Sequence, residues 1–306
     1  MRRVIAVLLA FATAAAQTVA AAPREPERVT FVSPASDPAT GETTIGALLF
    51  RPADMKPGER RPAVVALHGC GGMYSTVKAR REVLSVRHQA MADLLTGEGY
   101  VVLFPDSFRS RGVEEICTTQ ARERSVTLAH RQQDARAALA WLQRRDDVLA
   151  DRVAVLGWSN GGSTVLGTLD ARQAEVASWL DAEPKKPYFR AGVAFYPGCS
   201  AFLRGARSYT LAAPLALYIG DADDWTPPKP CIDLAAKLAA AREPVAITVY
   251  PGAFHGFDGP STVKRVRMDV PGGVNPGQGV TVATDPAARD DAYAKMKAFL
   301  RERLAP

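Results

Sequence analysis

The chain has 306 residues, 47% hydrophobic and 23% charged, a globular balance that argues against disorder, collagen or a coiled coil. Its net charge of +6 is spread along the sequence with no basic block or stripe, so no nucleic-acid partner is expected.

Arg2 and Arg3 precede an apolar run at 4–16, which is shorter than the roughly 18 residues of a membrane span. Val19, Ala20, Ala21 and Ala22 then offer cleavage sites of the A-x-A kind. Residues 1–22 therefore read as a secretory signal peptide, leaving 23–306 as one domain that is periplasmic or extracellular, without a stable membrane anchor. The paired arginines also admit twin-arginine export, but the general route is expected. The four cysteines, Cys70, Cys117, Cys199 and Cys231, all lie beyond this segment. Their even number fits an oxidising compartment, and none has the C-x-x-C spacing of a zinc or thioredoxin-like motif. Three pairings are open.

Short β-rich runs then alternate with amphipathic stretches. An edge strand is expected at 29–33, followed by strands at 43–50 and 63–67, a helix at 80–95, and a strand at 100–104. A helix at 125–144 leads to strands at 153–156, 191–195 and 215–219, a helix at 232–241, a strand at 245–250 and a final helix at 290–304. This order implies a mostly parallel sheet of about eight strands with helices on both faces. Few residues separate Tyr196 from Leu215, so no large cap is expected and the site should be open. The stretch 259–286, rich in Gly, Pro and Val, reads as a long loop or hairpin that is functional or mobile.

The most informative run is Gly157-Trp158-Ser159-Asn160-Gly161, which follows a strand and opens a helix. A sharp strand-to-helix turn holds the central serine exposed, and it needs residues without bulk two places before and after it. The amides that follow begin a helix, where developing negative charge is favoured. A serine hydroxyl needs a base. Of the four histidines, His88 and His130 fall inside helical patterns and His68 ends an early strand, whereas His255 stands just past the strand at 245–250. A group at the C-terminal end of a parallel strand shares an edge with the serine turn, so His255 is the candidate base. Asp221, Asp223 and Asp224 directly follow another strand, and one of them would orient the imidazole. His68-Gly69-Cys70-Gly71-Gly72 is a strand followed by a small-residue loop, suited to an oxyanion hole built from the amides of Cys70 and Asn160. His68 is expected to hold this loop by hydrogen bonding.

With these motifs in order, the chain resembles the dienelactone hydrolase family of α/β hydrolases from about Thr43 to Leu304. The likeness rests on the HGCGG loop, the segment from Pro105 to Gly112, GWSNGG, the G-x-x-D-x-x-x-P pattern from Gly220 to Pro227, and Ala-Phe-His255-Gly-Phe. It implies an α/β-hydrolase fold, and it implies Asp223 as the acid because that residue fills the aspartate place of the pattern. The namesake enzymes use a cysteine nucleophile and a glutamate in the oxyanion loop, where this sequence has Ser159 and Gly69. Serine esterase chemistry is therefore expected rather than a thiolate mechanism. Arg109 and Arg111 are candidates to bind a substrate carboxylate, and Trp158, Trp225, Phe254 and Tyr196 to form apolar walls. The implied fold places the loops carrying Cys70 and Cys117 after successive strands, and likewise those carrying Cys199 and Cys231. The expected disulfides are Cys70–Cys117 and Cys199–Cys231.

The expected function is hydrolysis of a small-molecule ester or lactone through Ser159, His255 and Asp223, with an acyl-enzyme and no metal or organic cofactor. A peptidase of the same fold and a secreted, non-catalytic binding protein on a hydrolase scaffold are the alternatives.

Overall fold

A computed structural model of the protein describes residues 25–34, 41–182, 185, 187–204, 209–260 and 263–305. The proposed signal peptide, residues 1–22, lies outside the described residues.

Eight strands form one sheet: β1 (Glu27–Ser33), β2 (Thr43–Phe50), β3 (Arg61–Leu67), β4 (Val101–Pro105), β5 (Val148–Trp158), β6 (Ala191–Phe195), β7 (Leu215–Gly220) and β8 (Val245–Tyr250). Their spatial order is β1-β2-β4-β3-β5-β6-β7-β8. The β1–β2 and β2–β4 pairs are antiparallel and all others parallel, with β1 the edge strand foreseen from the sequence. This is the mostly parallel sheet, flanked on both faces, of the α/β-hydrolase fold.

Alternation along each strand divides the core. Ala63, Val65 and Leu67 of β3 face one side, against α2 (Leu128–Gln143), α3 (Asn160–Thr168) and α6 (Pro228–Ala240). Val64 and Ala66 face the other, against α1 (Val86–Gly97) and α7 (Pro286–Leu304). Both faces are buried, which is why the central strands read as continuous apolar runs rather than alternating ones.

Helix starts differ from the periodic pattern, and side-chain caps explain two of the differences. The helix expected from residue 80 begins at Val86, because Ser85 caps it by accepting the His88 amide while Leu84 pairs with Tyr74 in an isolated bridge. The last helix begins at Pro286 rather than 290, capped by Asp285, whose carboxylate accepts the Ala288 amide at 3.0 Å. Two helices were not foreseen, α4 (Ala174–Leu180) and α5 (Ser200–Leu203), each too short for a 3.6-residue period to register. Within 259–286 the chain forms an antiparallel hairpin of β9 (Arg265–Arg267) and β10 (Val280–Val282).

Disulfides join Cys70 to Cys117 and Cys199 to Cys231, with Cα separations of 4.9 Å and 5.0 Å. Among the described residues, no helix is long and apolar enough to cross a membrane.

Candidate active site

Ser159 sits between β5 and α3 with φ 52° and ψ −116°, a left-handed conformation that a side chain adopts only under constraint. The constraint is visible. Its amide donates to the Phe195 carbonyl at 2.9 Å, and its carbonyl accepts the Ser163 amide at 2.8 Å as the helix begins. A Cβ at Gly157 would stand 2.3 Å from the Gly161 oxygen, and one at Gly161 would stand 2.0 Å from the Leu67 oxygen. Both positions exclude any side chain, so the two glycines let α3 start hard against the end of β3.

The loop after β3 is held with equal care. The Gly69 carbonyl accepts from His68 Nδ1 at 2.8 Å and from the Gly72 amide at 3.3 Å. Because the Gly69–Cys70 peptide is planar and trans, fixing that carbonyl also fixes the opposed direction of the Cys70 N–H. The Cys70 carbonyl in turn accepts the Ile116 amide at 2.8 Å, beside the disulfide to Cys117. A Cβ at Gly69 would lie 3.7 Å from Ser159 Cβ, so the loop passes directly over the serine. His68 is fully buried, and burial, reinforced by the Arg131 charge, pushes its pKa well below the usual imidazole value.

On the opposite side of the cleft, His255 Nδ1 lies 2.8 Å from Asp223 Oδ2. Asp223 is 3% exposed and meets donors throughout: the amides of Trp225 and Thr226 at 2.9 Å and 2.8 Å on Oδ1, and the Thr226 hydroxyl at 2.9 Å on Oδ2. Its two neighbours do other work. Asp221 accepts the Gly252 amide in a turn, and Asp224 binds Thr281 of β10 through amide and hydroxyl, both at 2.7 Å. The His255 ring lies between Tyr196 and Trp225, with centroids 4.6 Å and 4.7 Å away. With Nδ1 donating to the carboxylate, Nε2 carries the lone pair.

Ser159 and His255 line a single cleft of about 400 Å³, together with Gly69, Cys70, Tyr196 and Trp225. Arg87, Arg265 and Arg267 also line it, and among the described residues no Asp or Glu does. Arg87 is bound to buried Asp258 at 3.3 Å, and Arg267 to Asp269 at 2.7 Å.

The structure does not bring Arg109 or Arg111 into this cleft. Arg111 forms a two-pronged ion pair with buried Asp134, both contacts at 2.8 Å, and also donates to the Ser107 carbonyl. Arg109 lies 4.0 Å from the Tyr74 ring centroid and donates to the Arg81 carbonyl and to Glu82. Trp158 is 1% exposed, with Nε1 donating to Asp258 at 2.8 Å and its ring stacked between Phe104 and Phe195. Its indole is packed into the core, while the residue also borders the cleft beside Ser159. Asp258 also accepts the Tyr196 hydroxyl at 2.6 Å, so one buried carboxylate three residues past His255 organises the floor of the site. Sequence reasoning did not single out Asp258, Thr226, Arg87 or Arg131. Among the described residues, no group of three or more His, Cys, Asp or Glu could hold a metal ion.

Comparison with known proteins fits this geometry to a family. The sequence model of the dienelactone hydrolase family matches residues 45–304. A Bradyrhizobium protein described as a 2-oxo-3-(5-oxofuran-2-ylidene)propanoate lactonase is 24% identical over 212 residues, covering 65% of this chain and 74% of that protein. Among solved structures, a Klebsiella pneumoniae protein described as a dienelactone hydrolase superposes with TM-score 0.63 at 18% identity, covering 91% of this chain and 100% of the other. Thermogutta terrifontis esterase 2, phosphorylated by paraoxon, superposes with TM-score 0.60 at 19% identity, covering 92% and 96%.

Proposed function

Because the chain belongs to the dienelactone hydrolase family, we propose that it is an exported serine hydrolase that cleaves a carboxylic ester or lactone through an acyl-enzyme. The observation that carries this reading is the strained Ser159 facing, across one cleft, an imidazole whose far nitrogen is bound to buried Asp223. Ser159 Oγ attacks the carbonyl carbon while its proton passes to His255 Nε2. Asp223 holds the ring in the required tautomer and stabilises its positive form. The carbonyl electrons collect on oxygen, which lies against the Cys70 and Asn160 amides. Collapse expels the alcohol with the proton from His255, and water repeats the sequence to release the acid.

The cleft also favours one kind of substrate. Arg87 and Arg267 are paired with Asp258 and Asp269, but Arg265 makes no ion pair with a described residue, and its charge on the cleft wall suits a carboxylate-bearing ester or lactone better than a neutral one. The acidic lactone in the name of the Bradyrhizobium relative is in keeping with this preference. The signal-peptide pattern of residues 1–22 and the two disulfides support export.

A panel of activated esters and lactones, neutral and carboxylate-bearing, tests the reading with Ser159→Ala as control. The expected outcome is turnover that favours acidic members and falls by a factor on the order of 10³ or more in the variant. Undiminished turnover by Ser159→Ala would overturn it.

A further inference from the structure

Arg131 lies on the inner face of α2 and is fully buried. Its guanidinium joins the two walls of the site. Nη2 donates to the His68 carbonyl at 2.6 Å, one residue before Gly69, and Nη1 donates to the side-chain oxygen of Asn160. Its Nε has no hydrogen-bond partner among the described residues. No carboxylate among the described residues makes an ion pair with it: Asp134, one turn further along α2, is taken by Arg111, and Asp106 accepts the amides of Phe108 and Arg109. Asp134 and Asp106 act on the guanidinium only through space, and Arg111 opposes them. The Phe108 ring completes the enclosure, with its centroid 5.1 Å away.

An unpaired cation at this depth is costly to desolvate, and a neutral amide side chain can tie two loops without that penalty. A fixed positive charge becomes useful where negative charge develops nearby in a site shielded from water. The groups that Arg131 grips belong to the same two segments whose amides, Cys70 and Asn160, would receive the substrate oxygen. We propose that Arg131 is a positioning residue of the ester-cleaving reaction: it sets both oxyanion-binding amides through His68 and Asn160 and places a preorganised positive charge behind them. This inference rests on the serine-hydrolase reading above. The charge acts most strongly on the tetrahedral species, in which the new Oγ–C bond has driven the carbonyl electrons onto oxygen. It therefore stabilises the transition state and leaves ground-state binding almost unchanged.

The test uses the full mature protein with Arg131→Met, Arg131→Gln and Arg131→Lys. The two neutral variants should lose roughly 10- to 100-fold in kcat with KM within about threefold, and Arg131→Lys should lie closer to wild type than either. An arylboronic acid, which forms a negatively charged tetrahedral adduct with a serine, should lose affinity in step with kcat. Thermal midpoints are measured alongside. Arg131→Gln keeps a hydrogen-bonding head and carries the test if Arg131→Met fails to fold. Wild-type kcat and boronate affinity in a folded neutral variant, even with a lowered thermal midpoint, would reduce Arg131 to a structural tie and overturn the proposal. Ser159→Ala separates the two levels: if it stays active, the hydrolase reading itself has failed, whereas a dead Ser159→Ala beside normal Arg131 variants refutes only this inference.

Discussion

His88 lines the cleft without a place in the proposed chemistry, and its surroundings set a pH response of the whole chain. Its ring lies near Trp158 and Phe104, with Nδ1 3.0 Å from both the Met73 carbonyl and the Ser85 hydroxyl. Burial lowers its pKa to about 4, and buried His68 is lowered as well. Both rings are therefore neutral in the folded state at pH values where an unfolded histidine takes a proton. Below about pH 6.5 the unfolded chain binds more protons, so stability is full above that value and declines as pH falls towards 4. The urea midpoint is expected to drop between pH 7 and pH 5, with a shallower drop in His88→Gln. An identical pH slope in the two proteins would contradict this. At the same scale, Ser159, His255 and the Asp221–Asp224 cluster were legible because each directly follows a strand, and parallel strands end on one rim. Asp223 could be separated from its neighbours only by family pattern, since all three acids follow the same strand within four residues. Arg131 left a readable trace, a charge in register with Leu128, Ala135 and Leu142 on an apolar helix face, but periodicity alone does not say what such a charge grips.

At the scale of elements, the β9–β10 hairpin is fastened to the same machinery whose cleft it walls. Val282 pairs with the His255 backbone, the Asp285 amide donates to the Phe257 carbonyl at 2.9 Å, and the Asp224 side chain binds Thr281 twice. Asp223 and Asp224, adjacent in sequence, thus hold the imidazole and the hairpin respectively. Asp224→Ala removes both side-chain contacts to Thr281 and frees the strand carrying Arg265 and Arg267 to shift. It is expected to raise KM for a carboxylate-bearing ester several-fold while kcat changes less, as initial-rate kinetics would show. Equal loss in kcat with KM unchanged would instead place Asp224 in the chemistry. The sequence marked 259–286 as a loop or hairpin but could not dock it, because its anchors lie tens of residues away. Helix starts were misjudged where the periodic pattern outran the cap, as at Ser85, or began after it, as at Asp285.

At the scale of the molecule, the order of strand-end motifs was enough to foresee the sheet and its two covered faces. Contacts between loops were not, so the sequence offers Arg109 and Arg111 as candidates for a substrate carboxylate while Asp134, Tyr74 and Glu82 hold them outside the cleft. The two disulfides show how the fold secures the rim: Cys70–Cys117 ties down the loop over Ser159, and Cys199–Cys231 ties the segment after β6 to α6, the helix that follows the Asp223 loop. In the proposed reaction all of this serves one hydroxyl, that of Ser159, made reactive by its setting. Treatment of the mature protein with a fluorophosphonate, followed by peptide mapping, tests that most directly. A single adduct on the peptide carrying Ser159, absent from Ser159→Ala, is the predicted result; an unmodified protein, or an adduct on another residue, would contradict it.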